Sequence, residues 1–307
     1  MVFTRPLRAL RPLRSALSVP AINRRALLKS ADLGADILIF DLEDSVAPEK
    51  KSEARDTLRQ HFEASRTLSV GQHAPLKVVR INAFDTPWFE ADMQAVLACQ
   101  PDAVLLPKVE GTRAIFEVAD RLGEEDAPPA LRIWAMIETP KAVLNAALIA
   151  EAAHTPDARL ETFVIGLNDL RKATGVLPQA GRQHLLPWMM QILLAARAYG
   201  LTVLDSVSND FRDLDAFAAE CAQGRAMGFD GKMLIHPAQI EPANRLFAPS
   251  PEALGEARAI VAAFADPAAA GLGVVSIDGR MVERLHLEEA TRLIAFADLI
   301  TTRKDKP

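Results

Sequence analysis

A chain of 307 residues, 50% hydrophobic and 24% charged, has the length of one α/β barrel and enough apolar content for a large core, which excludes general disorder. The net charge of −5 argues weakly against a nucleic-acid partner. Cys99 and Cys221 are too few for a disulfide framework and form no CxxC pair, so a reducing compartment is expected, and no apolar run is long enough to span a membrane.

The N-terminus carries Arg5, Arg8, Arg11 and Arg14 with no acid before Asp32. That bias resembles an organellar transit peptide, but Pro6 and Pro12 interrupt any helix, and a basic arm on a cytoplasmic protein is expected. Eight apolar runs then alternate with eight helical patterns, the signature of parallel β/α architecture. The runs are 13–20, 35–42, 75–82, 102–107, 132–137, 162–167, 201–206 and 231–235. Helices are expected at 24–33, 49–62, from Pro87 onward, 112–122, 141–153, 185–199, 214–227 and 237–247, with a longer loop containing Gly175 and Gly181 after the sixth run. Eight strands with right-handed crossovers close into a (β/α)8 TIM barrel over residues 1–247. An open doubly wound sheet is the runner-up, but no GxGxxG follows the first strand. Residues 248–307 form an extension suited to a lid or a subunit contact: a helix at 251–264, a linker at 266–273, a hairpin at 274–282 turning at Asp278-Gly279, and a helix at 287–299.

In such barrels the active site lies at the carboxyl ends of the strands. The polar residues there are Asp41, Glu43 and Asp44, then Arg80 and Asn82, Lys108, Glu138, Asn168 and Asp169, Asp205 and Ser206, and His236. Carboxylates outnumber cations, and converging acids with few His or Cys suit Mg²⁺. Glu138 and Asp169, on neighbouring strands, are the natural direct ligands; Glu43 and Asp44 would hold the metal's waters. Arg80 would face them, its planar fork suited to a substrate carboxylate. Each position has a structural alternative. Glu138 and Asp169 could pair with Arg or Lys and bind no metal. Asp41 could cap its turn, Lys108 could be a counter-ion, and His236 could order the last loop. Asp205 stays open between an acid and a hydrogen-bond acceptor of the mouth. Trp134, Trp188, Met189 and Met190 read as core.

Several blocks carry a resemblance. They are Val19-Pro20, Gly34-Ala35-Asp36, Asp41-Leu42-Glu43-Asp44-Ser45-Val46, Val79-Arg80-Ile81-Asn82, Leu106-Pro107-Lys108, Ile137-Glu138-Thr139, Gly166-Leu167-Asn168-Asp169-Leu170, Ile235-His236-Pro237 and Asp278-Gly279-Arg280-Met281-Val282. In this order the set resembles citrate lyase beta-subunit-like proteins of the HpcH/HpaI aldolase superfamily. The resemblance implies a Mg²⁺-dependent lyase that cleaves or forms carbon–carbon bonds in 3-hydroxy acyl-CoA esters such as citryl-, malyl- or citramalyl-CoA. It implies Glu138 and Asp169 as metal ligands, Arg80 and Glu138 against the 2-oxo acid, and backbone N–H groups of Gly166, Leu167 and Asn168 on a carboxylate. It also implies a homotrimer or homohexamer with the C-terminal segment over a neighbouring copy. Two positions depart from the family pattern: Ala21 stands where Gly is usual, and Glu283 stands where an Asp is thought to act as base. A CoA-independent 2-oxo acid aldolase and a non-catalytic metal-binding barrel subunit are the alternative functions. No nucleic-acid or membrane partner is expected.

Overall fold

The computed structural model describes residues 11–65, 74–269 and 271–304. Eight parallel strands form a closed barrel: β1 Ser15–Pro20, β2 Ile37–Asp41, β3 Leu76–Arg80, β4 Ala103–Leu106, β5 Arg132–Ile137, β6 Leu160–Ile165, β7 Thr202–Asp205 and β8 Gly231–Leu234. Each strand pairs with the next, and β8 returns to β1 through Ser15 opposite Lys232. The apolar residues separate into two layers because alternate strand positions face opposite sides. Ile37, Ile39, Val78, Leu105, Trp134, Met136, Val164, Leu204 and Met233 fill the barrel interior. Phe40, Val79, Val104, Ile133, Phe163 and Val203 pack outward against the helices. Trp134 and Met189 are core, as expected, whereas Met190 is exposed.

Three local expectations change. The stretch 141–153 is two helices, Pro140–Leu144 and Ala146–Glu151, broken at Asn145, whose side chain donates to the Glu110 carbonyl. The loop expected after the sixth strand begins instead with a helix, Leu167–Thr174, stopped by Gly175 in the left-handed conformation at φ 73°. Arg14 belongs to no basic arm: it is buried, and its Nε and Nη2 donate to Asp36 at 2.7 and 2.8 Å. Arg5 and Arg8 lie outside the described residues.

Residues from Ala248 onward belong to a second compact unit. Helices Pro251–Ala265 and Arg284–Lys304 accompany a hairpin of β9 Val274–Ile277 and β10 Arg280–Glu283. Asp278 and Gly279 both have positive φ, 49° and 77°, which matches a tight two-residue hairpin turn.

Candidate active site

Strand parity decides which side chains enter the mouth. Ile37 and Ile39, Val78, and Trp134 and Met136 point into the barrel. Asp41, Arg80 and Glu138 come two residues further along the same chains and therefore point inward above them. Glu43 continues that parity past Asp41. Ladder register places Asp41 beside Arg80 and Ile137 beside Ile165, so Glu138 stands abreast of Gly166. A Cβ at residue 166 would collide with the Glu138 side chain, which is why glycine occupies that position.

Asp205 and Lys232 have the opposite parity, since Leu204 and Met233 are the interior residues. Asp205 therefore faces the helix layer, where both Arg182 and Lys232 bond it, at 2.8 and 3.0 Å. It is a buried structural ion and contributes neither an acid nor an acceptor to the mouth. Ser206 has mouth parity, and its Oγ accepts the Leu167 N–H at 3.0 Å. His236 orders the last loop: its Nδ1 accepts from the Ala238 N–H, and its ring stacks on Phe211 at 4.4 Å.

Arg80 is committed differently from the expectation. Its Nε and Nη2 each bond an oxygen of Asp41 at 2.7 Å, so the fork is closed on Asp41 and only Nη1 is turned toward the mouth. Nη1 lies 2.9 Å from Glu43 Oε2, 3.6 Å from Asp44 Oδ2 and 3.8 Å from the Met136 sulfur. The approach to Glu43 Oε2 gives charge compensation off the line of a hydrogen bond, and that oxygen has no hydrogen-bonding donor. Asp41 also accepts from the Glu43 and Ser45 N–H groups, so it is both turn cap and ion-pair partner. Burial alone would raise its pKa, yet Arg80 holds the carboxyl below its ordinary value. Lys108 bonds the other oxygen of Glu43. It is a counter-ion, as one sequence reading held, and its backbone N–H serves Glu138 Oε1 at 2.8 Å.

Glu138 is the outlier. It is 1% exposed, and among the described residues no cation lies within ion-pair distance of it. Its carboxyl is pushed up to about 7, first by burial and then by the charges of Glu43 and Asp169; the Lys108 N–H and Arg80 only partly oppose this. Glu43 is also raised, chiefly by burial. A divalent cation between Glu138 and Asp169 would remove that penalty. No group of three or more His, Cys, Asp or Glu among the described residues forms a protein cage for a metal. Mg²⁺ needs none, since it takes one or two carboxylates and completes its shell with water and substrate oxygens, so this donor set fits it.

Asp169 is half-buried in the first turn of the helix Leu167–Thr174. The expected anion cradle is reduced, because the Gly166 N–H donates to the Ile137 carbonyl and the Leu167 N–H to Ser206. The helix itself leaves the N–H groups of Asn168 and Asp169 unbonded, and its positive end favours an anion there. The side-chain amides of Asn168 and Asn209 each donate a hydrogen bond to the other's Oδ1, at 3.0 and 2.8 Å. Glu283 lies at the end of β10 in the C-terminal unit, with an exposed side chain and its N–H donating to His286 Nδ1. Sequence reasoning missed Ser206 as an acceptor, Asn209 and Lys51. Lys51 had a legible signal, since it falls on the buried stripe of its helix with Ala54, Leu58 and Phe62.

The model of the HpcH/HpaI aldolase/citrate lyase family matches residues 14–237. The chain belongs to that family. It is 44% identical over 289 residues to a (3S)-malyl-CoA thioesterase of Cereibacter sphaeroides, covering 94% of this chain and 96% of the relative. It is 31% identical to the mitochondrial citramalyl-CoA lyase of Rattus norvegicus, covering 94% and 87%. Among solved structures, CitE of Mycobacterium tuberculosis in complex with magnesium, acetoacetate and coenzyme A superposes with a TM-score of 0.75 at 29% identity, covering 94% of this chain and all of that one. The ordered motifs of the sequence are thus those of the HpcH/HpaI family, on its closed eight-stranded barrel.

Proposed function

We propose that the chain is a Mg²⁺-dependent carbon–carbon lyase that cleaves, or in reverse forms, a 3-hydroxy acyl-CoA such as malyl-, citramalyl- or citryl-CoA, with an acyl-CoA and a 2-oxo acid as products. The observation that carries this reading is the Glu138 carboxyl, buried beside Glu43 and Asp169 with no described cation paired to it. Glu138 and Asp169 would hold the ion, and Glu43 and Asp44 its waters. When bound, the ion supplies Lewis-acid polarisation of the 2-oxo acid oxygens. Arg80 Nη1 and the first turn of the helix Leu167–Thr174 supply positive charge for the substrate carboxylate. Glu283 is the proposed base. It takes the 3-hydroxyl proton as the C2–C3 bond breaks, the electron pair passes into the thioester as an enolate, and a proton returned to C2 gives the acyl-CoA. A cytoplasmic location and a homotrimer or homohexamer belong to the same proposal; a chain with only two cysteines, both buried, suits a reducing compartment.

A second reading is hydrolysis of the same thioester. What speaks for it is the 44% identity to a malyl-CoA thioesterase, set beside 31% to a citramalyl-CoA lyase. Water would add to the thioester carbonyl, the C–S bond would break, and CoA would leave as the thiol. One experiment separates the two. Malyl-CoA is incubated with the protein and Mg²⁺, and 2-oxo acid and free thiol are measured together. Oxo acid without thiol supports the lyase, and thiol without oxo acid supports hydrolysis. Neither product, across the malyl-, citramalyl- and citryl-CoA esters, overturns both.

A further inference from the structure

The helix Lys51–Ser65 opens on a buried cation. Lys51 is 5% exposed and occupies the stripe that Ala54, Leu58 and Phe62 turn toward the core. Its Nζ donates to the carbonyl oxygens of Leu42 and Glu43 at 2.8 and 2.7 Å and to Asn82 Oδ1 at 2.7 Å, and it lies 5.1 Å from the centre of the Trp88 ring. Among the described residues, no carboxylate is within ion-pair distance of it. Three acceptors satisfy its three protons. A buried charge is often replaceable by an apolar side chain without loss of stability, so the weight falls on what this one grips. It grips two consecutive carbonyls of the acidic turn that links β2 to the mouth. The side chain leaving that turn is Glu43, the one that meets Arg80 Nη1, bonds Lys108 and acts on Glu138.

We propose that Lys51 is the positioning residue of the metal site. By drawing the Leu42 and Glu43 carbonyls to one point, it directs the Glu43 carboxylate at the mouth and so sets the affinity for Mg²⁺. The inference rests on the reading of Glu138 and Asp169 as holders of the ion. The test is calorimetric titration of Mg²⁺ into the full-length wild type, Lys51→Met, Lys51→Arg and Glu138→Gln, with circular dichroism and melting in EDTA alongside. Lys51→Met is expected to keep its secondary structure and bind Mg²⁺ about 10–100-fold more weakly, the range typical of a residue that orients metal ligands. The Mg²⁺ concentration for half-maximal turnover should rise by more than kcat falls, and Lys51→Arg should fall between the two. Wild-type affinity in Lys51→Met, with affinity lost in Glu138→Gln, overturns the inference and leaves the metal site standing. Wild-type protein that binds no Mg²⁺ overturns the metal site itself, and the inference with it. Should Lys51→Met fail to fold, Lys51→Arg decides: its charge is kept, but a planar fork cannot bring three donors to acceptors around one point. Weakened binding in that folded variant upholds the inference, and unchanged binding overturns it.

Discussion

Arg80 closes a two-pronged bond on Asp41, with Nε and Nη2 each 2.7 Å from a carboxylate oxygen. Both groups are buried on adjacent strands, in direct ladder register. Arg80→Met leaves Asp41 as an unpaired buried charge and is expected to cost about 3–5 kcal/mol, read by urea denaturation at pH 7. Pairing it with Asp41→Asn should recover part of that loss, because the buried charge is gone while a side-chain oxygen can still accept from the turn N–H groups. The stabilisation from Asp41 is present above its ordinary pKa of 3.8 and is lost as pH falls below it, so the acid limb should weaken in the double variant.

Glu138 sets the opposite pH dependence. Its carboxyl is raised from 4.5 to about 7, so between those values the native state holds a proton that the unfolded chain has released. Stability in EDTA therefore falls as pH rises from 4.5 to 7, by roughly 3 kcal/mol at 1.36 kcal/mol per unit. Thermal melts across that range should show a steeper fall in wild type than in Glu138→Gln, where the raised Glu43 carboxyl remains. Mg²⁺ at pH 8 should restore the lost stability only where Glu138 is present.

Gly166→Ala places a methyl group against the Glu138 side chain. The clash is expected to destabilise by about 1–3 kcal/mol and to displace the carboxylate. Mg²⁺ titration and melting on the same protein check both effects. Wild-type affinity for the ion would show that Glu138 can move without consequence.

Lys108 combines a left-handed backbone, φ 52°, with a side chain that bonds Glu43. Two variants separate these roles. Lys108→Ala loses the ammonium and keeps the strain, whereas Lys108→Gly loses the ammonium and relieves it. The glycine variant should be the more stable by up to about 1 kcal/mol in urea melts, with both equally impaired in turnover.

Glu283 provides the test of the chemistry apart from the metal. Glu283→Gln should abolish carbon–carbon cleavage with Mg²⁺ affinity unchanged, because a base that takes the hydroxyl proton is not a ligand of the ion. Full lyase activity in that variant would remove Glu283 from the mechanism.

The alternation of apolar runs and helical patterns determined the barrel by itself, since parallel strands covered on both faces need continuous Val, Ile and Leu. The same logic brought Glu43, Arg80 and Glu138 to one mouth, because strand ends are legible wherever an apolar run meets a charge. The face on which a strand-end residue emerges was not legible in the same way. Asp205 and Glu138 look alike in the sequence, yet a shift of one residue in parity sends one to the helix layer and the other to the mouth. Nor did the sequence show the pairing. Arg80 lies 39 residues from Asp41 in the chain, and only ladder register makes them partners. Lys51 has the helical spacing of a buried stripe, but only folding brings its ammonium onto the carbonyls of the acidic turn. The chain's pattern decided which elements form and where the chemistry gathers. Tertiary structure alone decided which charges neutralise one another and which, like Glu138, meet no cation within ion-pair distance among the described residues.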